Sequence, residues 1–246
     1  MVTIRSLTYL VFLSLSVVVY AIPLSTLGWL MSRKWRGRLA WQWAQANLVA
    51  LRFICGLDYR VRGLENLPSS NCIVLSKHQS TWETIALRAL LPPEQTWVLK
   101  RELLFVPFFG WALAPLQPIA IKRKAGRRAL RQLLEEGTQW LRRGQWIVIF
   151  PEGTRVAPGQ RKKYGQGGAM LARKAGCPVI PVAHNAGVFW PRRSVNKYSG
   201  TIELVFGQPI EPGDRSPSEI NALAEEWIEG TVASLPQSRL RQTATE

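Results

Sequence analysis

The sequence predicts an α/β fold: a mixed, mostly parallel sheet flanked by helices, preceded by an N-terminal membrane-associated helical segment. Three observations carry this. Short apolar runs alternate with amphipathic stretches along residues 58–246, the pattern of strands joined by helices. No charged residue occurs between Arg5 and Arg33, a stretch long enough to enter a bilayer. Apolar residues make up 47% of the 246 positions, enough for a real core and too many for a disordered basic tail.

The N-terminal part is read first. Residues 6–22 form a helix of roughly 26 Å at about 1.5 Å per residue, slightly short of a hydrocarbon core of about 30 Å. Pro23 is expected to kink or end it, so a half-immersed or re-entrant helix fits as well as a full span. Arg33, Lys34, Arg36 and Arg38 follow, surrounded by Trp29, Trp35, Trp41 and Trp43. Indole rings favour the headgroup zone. Residues 39–57 are apolar with few charges and read as a second interfacial helix. Residues 1–57 are therefore assigned to membrane-anchoring helices and residues 58–246 to the folded domain, with a linker over residues 58–63. The single Arg before a long apolar core argues against a cleaved signal peptide. The positive-inside bias places the basic cluster and all that follows on the cytoplasmic side of the inner (cytoplasmic) membrane.

In the folded domain, residues 72–76 (Cys-Ile-Val-Leu-Ser) and 146–150 (Trp-Ile-Val-Ile-Phe) are the clearest buried strands. Residues 96–99, 118–121, 179–183 and 202–206 are further strands. Helices are expected over residues 82–91, ended by Pro92-Pro93, over 126–142 with a strongly basic outer face, over 165–175, and over 216–233 behind Ser216-Pro217.

Charge narrows the partners. Lys plus Arg number 32 against 16 Asp plus Glu, a net of +16. Residues 120–175 hold 14 of those bases against Glu135, Glu136 and Glu152. A solvated basic face is the plain explanation; an anionic membrane surface or nucleic acid is the functional one. The apolar N-terminus favours the membrane, so no nucleic acid is expected. Three Cys without a Cys-x-x-Cys pair, and only two His, exclude a disulfide framework and a cysteine zinc cluster and argue against a metal site.

The chemistry resides in two blocks, each placed just after a strand. There is no nucleophile elbow, phosphate loop or dinucleotide fingerprint. Lys77-His78-Gln79-Ser80-Thr81-Trp82-Glu83 follows the strand at 72–76. A histidine with a carboxylate partner is a general-base dyad: the carboxylate fixes the tautomer and stabilises the imidazolium. On one ideal helix positions five apart lie about 140° apart, so His78 must precede the helix and Glu83 must lie in its first turn. Ser80-x-x-Glu83 is equally a capping box, and His78 could be an ordinary turn histidine. Phe150-Pro151-Glu152-Gly153-Thr154-Arg155 follows the next strand. Glu152 can accept from a hydroxyl, Arg155 can grip a phosphate by two bonds, and Gly153 lets the backbone come close. The plain alternative is a Pro-Glu-Gly turn with a surface arginine.

Together the blocks resemble the glycerolipid acyltransferases, in particular bacterial 1-acyl-sn-glycerol-3-phosphate acyltransferases, over roughly residues 58–207. His78 to Glu83 resembles the family's His-x-x-x-x-Asp block, with Glu one methylene longer than Asp. Gly110-Trp111 through Arg123 resembles a second block ending in a basic residue, Phe150 to Arg155 a third, and Val179-Ile180-Pro181-Val182-Ala183 a fourth. The resemblance implies an acyltransferase catalytic domain over 58–246 that makes phosphatidic acid from lysophosphatidic acid. It implies His78 and Glu83 as catalytic residues, and Arg123, Glu152, Gly153, Thr154 and Arg155 as substrate-binding residues. Acyl-CoA or acyl carrier protein is the implied donor, with no cofactor or metal. His184 is taken as a wall residue. Two alternatives stay open: transfer to another lysolipid, such as a lyso-aminolipid, and a non-enzymatic basic binder of membrane or nucleic acid.

Overall fold

The computed structural model describes residues 1–239, apart from the side chain of residue 123. Two helices come first, α1 (Val2–Thr26) and α2 (Arg33–Cys55). The chain then alternates through β1 (Leu57–Arg62), β2 (Ile73–Ser76), α3 (Trp82–Leu90), β3 (Gln95–Lys100), α4 (Phe109–Leu113), β4 (Ile119–Ile121), α5 (Arg127–Arg142), β5 (Trp146–Ile149), α6 (Gly167–Ala175), β6 (Val179–His184), α7 (Ala186–Phe189), β7 (Gly200–Phe206) and α8 (Pro217–Ser234).

The sheet order is β1-β7-β6-β2-β5-β3-β4. Every pairing is parallel except β6 with β7. β2 and β5 are buried at every position, as a sheet covered on both faces requires. Side-chain alternation divides β2 between two cores. Val74 joins α2, α3 and α7 on one face; Ile73 and Leu75 join α5, α6 and α8 on the other. At the start of α8, Ser216 and Glu219 form a reciprocal capping box with Pro217 in the first turn.

Two expectations are corrected. Residues 58–63 are not a linker: Asp58–Arg62 lie in β1, paired with β7. The strand alternates Leu57, Tyr59 and Val61 with Asp58, Arg60 and Arg62, and Glu203 on β7 pairs with Arg60 at 3.2 Å. Pro23 does not end the first helix. α1 runs three residues beyond it, and the Pro23 carbonyl accepts from the Leu27 N–H.

Both ends of α1 rest on the domain. Tyr9 meets Trp190 edge to face at 5.8 Å, and Ser6 Oγ accepts from the Lys197 N–H at 2.8 Å. Near the other end, a Cβ on Gly28 would touch Pro115. α2 also belongs to the core, through Ala44, Leu48 and Leu51.

Candidate active site

The parallel strands β2, β5, β6 and β3 bring their C-terminal ends to one edge of the sheet, where open α/β folds bind ligands. His78 lies two residues past β2, before α3 begins. Its Nδ1 is 2.8 Å from Glu83 Oε1. The same oxygen accepts the backbone N–H groups of Gln79 (2.8 Å) and Ser80 (2.7 Å). An ionised carboxylate can only accept, so the Nδ1 proton sits between ring and acid and Nε2 is left bare. Among the described residues nothing bonds Nε2. The ring stacks on Phe150 at 4.1 Å between centroids.

Glu83 thus performs both roles that the spacing allowed. Its half of a capping box is present in the bond from Ser80 N–H. The Ser80 half is not: Ser80 Oγ accepts from Trp82 N–H instead, at 3.2 Å. Burial alone would raise the Glu83 carboxyl, but the two histidines and the backbone donors outweigh it and hold it below the ordinary carboxylate range.

The second block clamps the first. His78 N–H donates to Glu152 Oε2 at 2.7 Å, and the His78 carbonyl accepts Val156 N–H at 2.8 Å. Glu152 is therefore corrected from its expected role. Its carboxylate is fully buried and faces Lys77 Nζ at 2.7 Å, not a substrate hydroxyl. Lys77 Nζ also meets Glu229 Oε1 on α8 at 2.6 Å, and that oxygen accepts from Tyr164 Oη at 2.9 Å. Burial, with the Glu229 charge adding and Lys77 opposing, raises the Glu152 carboxyl to about 7. Gly153 turns the chain at φ 67°, a left-handed conformation that favours glycine. Thr154 is exposed beside it. Arg123 opens a short 3-10 turn after β4; its side chain lies outside the described residues.

Two cavities meet at His78. One, of about 370 Å³, is apolar; it runs beside Thr81 and, on α3, Thr84 and Ile85, under Leu13, Val17 and Tyr20 of α1. The other, of about 280 Å³, is basic, lined by His78, Thr154 and the cations Lys100, Arg155, Arg192 and Arg193. Arg155 borders both. Its carbonyl accepts from Arg192 Nη1 at 2.7 Å, which ties the two arginines together. Lys77, Glu229, Lys100, Arg192 and Arg193 were missed by the sequence reading. Lys100, at the end of β3, and Lys77, just past β2, carried the available signal: a charge closing an apolar strand.

His184, at the end of β6, is fully buried. Its Nε2 donates to the Lys77 carbonyl at 2.8 Å, and its Nδ1 accepts from Ala186 N–H at 3.2 Å. Burial lowers its pKa against the pull of Glu83, and both of its nitrogens are engaged with the backbone.

Residues 58–185 match the family described as Acyltransferase. A 1-acyl-sn-glycerol-3-phosphate acyltransferase of Pseudomonas aeruginosa is 47% identical over 207 residues, covering 83% of this chain and 80% of that protein. The 1-acyl-sn-glycerol-3-phosphate acyltransferase of Saccharomyces cerevisiae is 28% identical over 204 residues, 80% of this chain and 66% of its own. Among solved structures, the 1-acyl-sn-glycerophosphate (LPA) acyltransferase PlsC from Thermotoga maritima has a TM-score of 0.78 at 24% identity, with 94% of each chain covered, a likeness of fold.

Proposed function

The chain belongs to the acyltransferase family, and on that premise we propose that it transfers a fatty acyl group to the sn-2 hydroxyl of 1-acyl-sn-glycerol-3-phosphate, giving phosphatidic acid. The observation that carries this reading is the position of one imidazole between an apolar cavity and a basic one. A lysophosphatidic acid has those two chemistries, joined by the hydroxyl that must react. The cationic side suits a phosphate, which Arg155 can hold by two charge-assisted bonds. The apolar side suits hydrocarbon.

In the reaction, Nε2 of His78 takes the hydroxyl proton as the oxygen attacks the thioester carbonyl of acyl-CoA or acyl carrier protein. The Nδ1 proton stays on the ring, held toward Glu83, whose charge stabilises the imidazolium. The tetrahedral intermediate then collapses, the carbon–sulfur bond breaks, and the leaving thiolate takes the proton back from Nε2. Residue roles divide accordingly. His78 acts as the base and Glu83 orients it; Thr154 and Arg155 face the acceptor. Glu152 and Gly153 shape the turn that holds His78 in place.

The same reading places the protein at a membrane, α1 being long and apolar enough to enter one. The inner membrane, with the domain on the cytoplasmic side, follows from the flanking cations. The test is a mass-spectrometric assay of purified protein with a panel of lysolipids and both thioester types. Phosphatidic acid should form fastest from lysophosphatidic acid. A faster reaction with a lyso-aminolipid overturns the acceptor assignment, and no transfer to any lysolipid overturns the function.

A further inference from the structure

Phe105-Val106-Pro107-Phe108 is a run of four exposed apolar residues between β3 and α4, with Phe105 72% exposed. Such a run is a fault in a soluble surface unless something covers it. The segment is firmly built. Gly110 packs so closely on the turn before it that a Cβ would lie 2.2 Å from the Leu104 carbonyl oxygen. Phe108 is held at φ 58°, a conformation that a bulky residue keeps only where its surroundings impose it.

α4 packs against α1, and the two helices share a side of the molecule. Leu13, Val17 and Tyr20 of α1 and Phe109, Ala112 and Leu113 of α4 turn toward the apolar cavity. At about 100° per residue, Leu15, Val19 and Ile22 point the other way, and all three are more than half exposed. Trp111 on α4 does the same. Because both helices roof one cavity, their outer faces belong to one surface. Exposed cations flank these helices in sequence: Lys34 and Arg38 beside Trp35 at the start of α2, and Lys100 and Arg101 ahead of the apolar run, with Glu102 paired to Lys100 at 3.6 Å. That arrangement, apolar centre with basic and indole edges, matches a bilayer with anionic headgroups.

We propose that the segment from Phe105 to Trp111 is a second membrane-inserting element beside α1, and that it forms the rim across which lipid slides from the bilayer into the cavity at His78. Leu103, two residues ahead of this segment and itself partly exposed, supports the route because it lines both cavities. The acceptor's chain therefore stays in an apolar medium from membrane to site. This inference rests on the membrane-lipid reading of the function.

The test uses the full chain with Cys177→Ser, leaving Cys55 and Cys72 buried, and an environment-sensitive NBD label on single Cys substitutions. Vesicles contain phosphatidylethanolamine and phosphatidylglycerol with a small fraction of doxyl-labelled phosphatidylcholine. Labels at Phe105→Cys and Val19→Cys should shift to the blue and lose at least half their emission to the quencher. A label at Ser218→Cys, on α8, should remain water-like. Quenching at position 19 without quenching at 105 overturns the rim while sparing the membrane reading; quenching at neither overturns both. In a second arm, Phe105→Ser combined with Trp111→Ser should raise the apparent KM for vesicle-borne acceptor at least fivefold and leave it unchanged for acceptor dispersed in detergent. An equal change in both media overturns the rim.

Discussion

Two histidines stand at the C-terminal ends of adjacent parallel strands, His78 just past β2 and His184 closing β6, and both approach the carboxylate of Glu83. Oε1 is 2.8 Å from His78 Nδ1, and Oε2 is 4.0 Å from His184 Nε2. Only one of them can act as a base. His184 spends both nitrogens on the backbone and has no exposed surface. His78 gives one nitrogen to Glu83 and keeps the other toward two cavities. What distinguishes an imidazole free to act as a base is thus a nitrogen left over after its neighbours are satisfied, more than nearness to an acid.

Exchanging the fates of the two rings is the strongest way to break this comparison. His78→Ala should lower kcat about a thousandfold, within the 10²–10⁴ range for a positioned general base, with little change in Tm. His184→Gln should do the reverse: a loss of roughly 1–3 kcal/mol from disturbed buried bonds, with activity kept by the folded fraction. Calorimetry and turnover on the same samples check both, and comparable losses of kcat in the two variants would end the distinction. Next in size is Glu83→Gln. The amide oxygen can still accept the Gln79 and Ser80 N–H groups but carries no charge for the imidazolium, so kcat should fall about a hundredfold with only a modest drop in Tm. A large Tm drop with near-normal kcat would leave Glu83 a cap alone.

The charged floor under His78 gives a pH signature. Glu152 titrates near 7 instead of the ordinary 4.5. An acid whose pKa is raised by folding stabilises the native state fully below its unfolded pKa, and that contribution fades as pH rises through the folded value. Stability should therefore decline between about pH 4.5 and 7, by roughly 3 kcal/mol at most at about 1.4 kcal/mol per pKa unit. Glu229→Gln removes the neighbouring negative charge and should flatten the decline, which thermal melts across that range will read. The smallest expected effect is at Arg155. Arg155→Ala should raise KM for the phosphorylated acceptor about tenfold and that for the thioester less; the opposite split would assign Arg155 to the donor.

The parts legible in the sequence were those written locally. Strand β2 followed by His78, and β5 followed by Glu152, each show as an apolar run ending in chemistry, and the 140° argument correctly put His78 ahead of α3. Direction was not legible. Nothing in Pro-Glu-Gly says that Glu152 turns inward, because its partner Lys77 lies 75 positions away and that partner's other ligand, Glu229, lies on the last helix. β1 is not legible as a strand because its alternating charges find their opposite charge, Glu203, only across the sheet on β7. Arg192 and Arg193 lacked any local cue; only the return of β7 beside β6 brings their loop over the site.

The bonds that run from Glu152 and Val156 to the two backbone groups of His78 have an evolutionary corollary. The two loops share one register, so an insertion or deletion in either displaces the ring unless the other compensates. Engineers who wish to swap acceptor preference by loop exchange should move the pair together, since a chimera carrying one loop from a distant donor inherits a histidine that is present yet misaimed.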